Sequence, residues 1–79
     1  MNYETFKKRF MECMKERGYA VVWFKTGGCC YTSRYTLLRR NRLILTVLKT
    51  DNEIFSTVEN IAYVEVGRYL LDVEEIDGN

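Results

Sequence analysis

No histidine occurs anywhere in the 79 residues of this chain, and that absence removes a large part of enzyme chemistry. Imidazole is the commonest general base near neutral pH, the usual metal ligand, and the partner that activates serine or cysteine nucleophiles. Carboxylates, lysine or cysteine alone would have to carry any reaction. A phosphate-cradling loop is missing too: Gly27-Gly28 is an isolated pair, and no Lys-Ser or Lys-Thr follows at the required spacing. No apolar run approaches the roughly 18 residues needed to span a bilayer. The opening MNYETFKKRF alternates charged with apolar groups, unlike the unbroken apolar segment of a secretion signal. The chain therefore reads as a complete cytoplasmic product with no membrane contact. Internal repeats, linkers and low-complexity segments are also absent.

Cysteine is scarce and badly placed for cross-linking. Cys13, Cys29 and Cys30 form an odd set, and the adjacent pair suits no common disulfide framework. Zinc sites draw on ligand pairs two to four residues apart, whereas neighbours on one strand point to opposite faces, so no metal is expected. Cys13, on the apolar side of a helix, and Cys29, on the aromatic side of a strand, are expected in the core. Cys30 projects with Thr32 and Arg34, the more exposed and reactive position of the three, but an ordinary structural role is the favoured reading of all three cysteines. An enzyme with a cysteine nucleophile would rest on Cys30. The expectation is a non-enzyme without cofactor.

What is present begins with enough core. Apolar residues make up 47% of the chain and aromatics 14%, which excludes a disordered tail and fits one small domain near the lower size limit for an apolar core. Domains of this size hold little stability in reserve, so a homodimer or higher homo-oligomer enters the reading early.

The net charge of +1 conceals a strong polarity. Residues 25–50 carry six basic groups (Lys25, Arg34, Arg39, Arg40, Arg42, Lys49) and no acid. Residues 51–79 carry eight acids against Arg68 alone. Segregation on this scale points to charged partners.

Periodicity assigns an N-terminal helix over 2–17. Tyr3, Phe6, Phe10, Cys13 and Met14 recur at helical spacing, Asn2 is a suitable N-cap, and Gly18 can take the left-handed position that ends the helix. A meander of strands then occupies 19–75, followed by a short acidic tail. Its expected members are Tyr19–Thr26, Cys29–Leu38, Leu43–Thr50, Ile61–Val66 and Tyr69–Glu75, the last two closing as a hairpin through Gly67-Arg68. The segment Glu53–Asn60 reads as a strand in preference to a helix because Ser56, Thr57 and Val58 follow in a row. The fold class is α+β, with the helix packed on an antiparallel sheet of about five to six strands.

Tyr19–Thr26 and Leu43–Thr50 are apolar on both sides of the pleat, as in strands at the middle of a covered sheet. One helix of about 16 residues is roughly 24 Å long and 10 Å wide, too little to cover both faces of such a sheet. Either the sheet curls into a partial barrel, or another chain covers the second face.

Two functions follow as expectations. The first is a small protein-binding module, an inhibitor or adaptor of the kind phages and mobile elements encode. It would act through the apolar sheet face around Trp23 and an acidic C-terminal hairpin bearing Glu65, Asp72, Glu74 and Glu75. The partner is a protein of unknown identity. The alternative is a small nucleic-acid-binding protein. In that reading the Arg39–Arg42 hairpin tip, with Arg39, Arg40, Arg42 and the flanking Arg34, grips phosphates while Tyr35 stacks on bases.

Overall fold

A computed structural model describes residues 1–40 and 42–67. The helix forms where the periodicity places it: α1 spans Tyr3–Arg17. Thr5 donates its backbone N–H to Asn2 Oδ1 at 2.8 Å, closing an N-cap of the kind that stabilises a helix by about 1 kcal/mol. At the other end Gly18 sits at φ 79° and donates its N–H to the Met14 carbonyl. A β-carbon is disfavoured at that angle, so glycine there fixes where the helix stops.

Among the described residues six strands follow, in two sheets instead of one. The first sheet holds β1 (Ala20–Phe24) between β2 (Cys29–Thr32) and β6 (Ile61–Val66). The second holds β4 (Arg42–Thr46) between β3 (Leu37–Arg39) and β5 (Glu53–Ser56). All pairings are antiparallel. The α+β class holds. The single sheet does not, and the described strands do not close into a barrel. The two strands that read as apolar on both sides, β1 and β4, are the central strands, each of its own sheet.

The break lies inside the segment expected as one strand, Cys29–Leu38. Residues 33–36 turn, and side chains replace the missing ladder. Tyr35 donates its N–H to Ser33 Oγ at 3.2 Å, and Thr46 donates its N–H to Thr36 Oγ1 at 3.0 Å. Ser33 and Thr36 are both buried, and the Thr36 bond satisfies a Thr46 N–H that water cannot reach. The sheets still touch through an isolated bridge between Thr32 and Val47, where Ser33 N–H meets the Thr46 carbonyl and Leu48 N–H meets the Tyr31 carbonyl.

This division supplies the cover that one helix could not. Phe6, Phe10 and Cys13 from α1, Ala20, Val22, Cys30 and Val64 from the first sheet, and Leu43 and Leu45 from the second pack into one core with Val58 and Ile61. The helix is fastened to both sheets: Tyr3 donates its hydroxyl to the Leu38 carbonyl, and Arg9 donates Nε to the Val64 carbonyl.

Other segments depart from expectation in detail. The strand expected over Leu43–Thr50 ends at Thr46, and the chain turns through Lys49 (φ 72°) and Asp51 (φ 60°), both left-handed. Glu53–Asn60 divides: β5 pairs with β4 as expected of a strand, and Val58–Asn60 forms a single 3-10 turn. The expected Gly67-Arg68 turn and the Tyr69–Glu75 strand lie outside the described residues beyond Gly67.

Candidate functional site

Alternation along β1, β2 and β6 gives the first sheet two unlike faces. Ala20, Val22, Cys30 and Val64 turn inward to the core. Val21, Trp23, Cys29, Tyr31, Tyr63 and Glu65 turn outward, because antiparallel partners share a side: Val21 pairs with Tyr31 and Glu65, and Trp23 with Cys29 and Tyr63. On this same side a second, smaller cluster forms around buried Tyr19 and Val21, with Trp23, Tyr31 and Leu48 packed against it.

The centre of the outer face is a three-residue arrangement. The Trp23 and Tyr63 rings stack with centroids 5.8 Å apart and planes inclined by 18°. Trp23 donates its indole N–H to Glu65 Oε1 at 3.0 Å. Trp23 is half-buried, while Tyr63 is 48% exposed. The hydrogen bond holds a carboxylate beside an aromatic pair, combining negative charge with π faces. Both features attract a guanidinium or ammonium group.

Trp23 and Glu65 are thus brought into direct contact, although 42 residues separate them in sequence. Asp72, Glu74 and Glu75, expected on the same docking surface, lie outside the described residues. Tyr63 and Cys29 also belong to this face, although Cys29 was expected in the core and Tyr63 was not among the expected site residues. Strict alternation along β6 puts Ile61 and Tyr63 on the Glu65 side, yet Ile61 is fully buried. A bulge at Trp23/Phe24 pairs Phe24 with Ile61, leaving Ala62 as the extra residue, so the alternation inverts there.

Cys13 is buried as expected, whereas Cys29 and Cys30 exchange their expected exposure. The alternation was read correctly, but its sides were exchanged: Cys30 is 5% exposed and Cys29 is the exposed thiol. Thr32 explains the inversion. Its hydroxyl donates to the Ala20 carbonyl at 3.0 Å, so it is fully buried on the Cys30 side despite its polarity. Burial, with the neighbouring Cys29 adding to it, pushes the Cys30 thiol up to about 11. A thiol held so far toward its protonated form is a poor nucleophile at neutral pH. Partial desolvation and then Glu65 raise Cys29 as well. Burial raises Cys13, with nearby Arg9 opposing. Among the described residues no cluster of three potential metal ligands forms, and no helix is long and apolar enough to cross a membrane.

The basic residues form two separate groups. Arg39, Arg40 and Arg42 cluster at the β3–β4 hairpin as expected. Arg40 lies 4.0 Å from Glu4, both well exposed. Arg34 instead lines a shallow cleft with Met11, Met14, Lys15 and Gly18 at the far end of α1. Glu4 and Lys15 are eleven residues apart on the helix, about 16 Å at 1.5 Å per residue. Arg34 therefore does not extend the hairpin's basic surface. Tyr35 is 70% exposed beside Arg34 in the inter-sheet turn.

Comparison with protein-family models, curated proteins and solved structures finds no significant match to the chain.

Proposed function

We propose that the chain is a small non-catalytic protein-binding module, of the inhibitor or adaptor kind, whose docking face is the outer side of the first sheet. The observation that carries this reading is the Trp23–Tyr63 stack with Glu65 fixed against the indole. A core of this size gains little from an acid and two aromatic rings left at the surface. As a contact point they combine the residue types that dominate binding energy when desolvated by a partner. The chemistry selects the partner: a protein segment presenting arginine or lysine among apolar residues, its cation received over the rings and countered by Glu65. The net acidity of residues 51–79 favours approach of such a segment. The non-catalytic part of the reading rests on a chain without histidine and on thiols whose pKa values are raised.

The test is selection of a random peptide display library on the immobilised protein, with Trp23→Ala and Glu65→Gln proteins screened in parallel. The reading expects enrichment of peptides carrying arginine or lysine beside apolar residues, and loss of that enrichment in both variants. Enrichment of acidic peptides, or an identical selection on Trp23→Ala, would overturn it.

A further inference from the structure

The second sheet carries a different surface, independent of the face just described. Register places Leu37, Ile44 and Phe55 side by side across β3, β4 and β5, because Leu37 pairs with Ile44 and Ile44 with Phe55. Along β3 and β4, Arg39 and Arg42 form the next outward row, since they pair with each other two positions further on. The outward side thus has an apolar row bordered by a basic row. Phe55 is 67% exposed and Leu37 46%. A large aromatic ring so open, at the edge of a small domain, has no packing role that accounts for it.

Two clefts meet at this corner. One, of about 470 Å³, is lined by Arg42, Phe55, Ser56, Thr57 and Asn60. The other, of about 560 Å³, has Arg40 and Tyr3 in its wall and shares Thr57 with the first. Both volumes fall within the roughly 300–1,000 Å³ typical of small-ligand sites. The first holds what recognition of a nucleotide requires: an exposed ring for a base to stack on, a guanidinium for a phosphate, and hydroxyl and amide groups for base edges. Asn60 is held in place by its main chain, donating N–H to the Thr57 carbonyl and accepting from Lys25 N–H at 2.7 Å. A groove meant for acyl chains would not place hydroxyl and amide groups around its aromatic ring. Glu59 lines the second cleft and opposes phosphate there, so the phosphate contact falls on the Arg42 side.

We infer that the Arg42–Phe55–Asn60 cleft binds a single-stranded nucleic acid, one base stacking on Phe55 and the flanking phosphates lying against Arg42 and its cross-strand neighbour Arg39. Duplexes are excluded because their bases are already stacked and cannot reach Phe55.

Fluorescence anisotropy with the full chain and fluorescein-labelled ten-nucleotide strands tests this. The set comprises oligo-uridine, oligo-deoxythymidine and a mixed-sequence duplex of the same length. Single strands of RNA or DNA should bind in 50 mM salt, more tightly than the duplex. Phe55→Ala should weaken binding by about 5- to 150-fold, the range set by loss of one stacked base, and Phe55→Trp should restore it. Removing Arg39 and Arg42 together should flatten the dependence of log K on log salt by about 1.4, at about 0.7 per phosphate contact on a single strand. Arg34→Ala and Trp23→Ala should change nothing, which separates this site from the docking face. Circular dichroism shows whether each variant remains folded. Equal affinity for the duplex, an unaltered Phe55→Ala protein, or binding to anionic lipid vesicles in place of oligonucleotides would overturn the inference.

Discussion

Trp23 and Glu65 meet across the β1–β6 ladder, the indole N–H donating to Oε1 at 3.0 Å. Glutamine at 65 keeps an acceptor oxygen and loses the charge, whereas phenylalanine at 23 keeps a ring and loses the donor. The two substitutions therefore divide stability from recognition. Trp23→Phe should cost about 0.5–1.5 kcal/mol of stability, the usual net worth of one hydrogen bond. Glu65→Gln should leave the urea midpoint nearly unmoved while abolishing selection of basic peptides. Urea denaturation followed by circular dichroism, alongside the display selection, measures both.

The exposed thiol offers a way to block the same face without mutation. Cys29 is paired with Trp23 across β1 and β2, while Cys13 and Cys30 are buried. A bulky maleimide should react with one thiol per chain in the native protein and with three after unfolding. Mass spectrometry counts the adducts and locates the first at Cys29. The singly labelled protein should no longer capture basic peptides but should still bind the single-stranded oligonucleotides.

The inter-sheet turn should be sensitive to a single hydroxyl. Thr36 Oγ1 accepts the Thr46 N–H at a buried position. Thr36→Val is nearly isosteric and strands that donor, at a cost of about 1–3 kcal/mol. Thr36→Ser keeps the acceptor and should recover most of the loss. Chemical denaturation of the two variants in parallel reads the difference.

Gly67 is required by a neighbour, not by its own backbone angle. A β-carbon there would fall inside the Tyr19 ring, which is itself buried. Gly67→Ala should destabilise by about 1–3 kcal/mol, the common cost of overpacking. In a Tyr19→Ala background the same change should cost much less, because the obstructing ring is gone.

Cys30 predicts a loss of stability in alkali. Its thiol rises from an ordinary value near 9.0 to about 11 on folding, so the folded chain holds that proton more tightly than the unfolded chain. The contribution is fully present below about pH 9 and is lost as pH rises toward 11. Cys30→Ala removes this component, so its stability should fall less steeply than that of the parent over that window. Urea midpoints collected from pH 8 to 11 make the comparison.

The sequence carried local information well and the meeting of distant segments poorly. Asn2 and Gly18 bound the helix because capping is chemistry of a few adjacent residues. The two-sided apolar character of Val21–Phe24 and Leu43–Leu48 marked β1 and β4 as central, since only covered strands bury both sides. Ser33-Arg34-Tyr35-Thr36, by contrast, alternates like strand. Nothing local reveals that the Ser33 and Thr36 hydroxyls will stand in for ladder partners, one of them to Thr46 ten residues on. That one break turns one sheet into two and reassigns the covered face. The Cys29/Cys30 exchange has the same origin: period two fixes which residues share a side, and Thr32 looks polar in the sequence although its bond to the Ala20 carbonyl lets it be buried beside Cys30. Trp23 and Glu65 were visible as separate candidates. Their contact depends on the β1–β6 register, and the exposure of Phe55 on β5 being an edge strand.

The most direct test of a cation-receiving face uses the single tryptophan of the chain. Trp23 emission should be recorded while titrating an arginine-containing decapeptide recovered from the selection, at low and high salt, in parent and Glu65→Gln proteins. The account predicts a saturable change in Trp23 emission, weakened by salt and lost in Glu65→Gln. Saturable binding of that peptide with unaltered Trp23 emission, or an identical titration in Glu65→Gln, would contradict it.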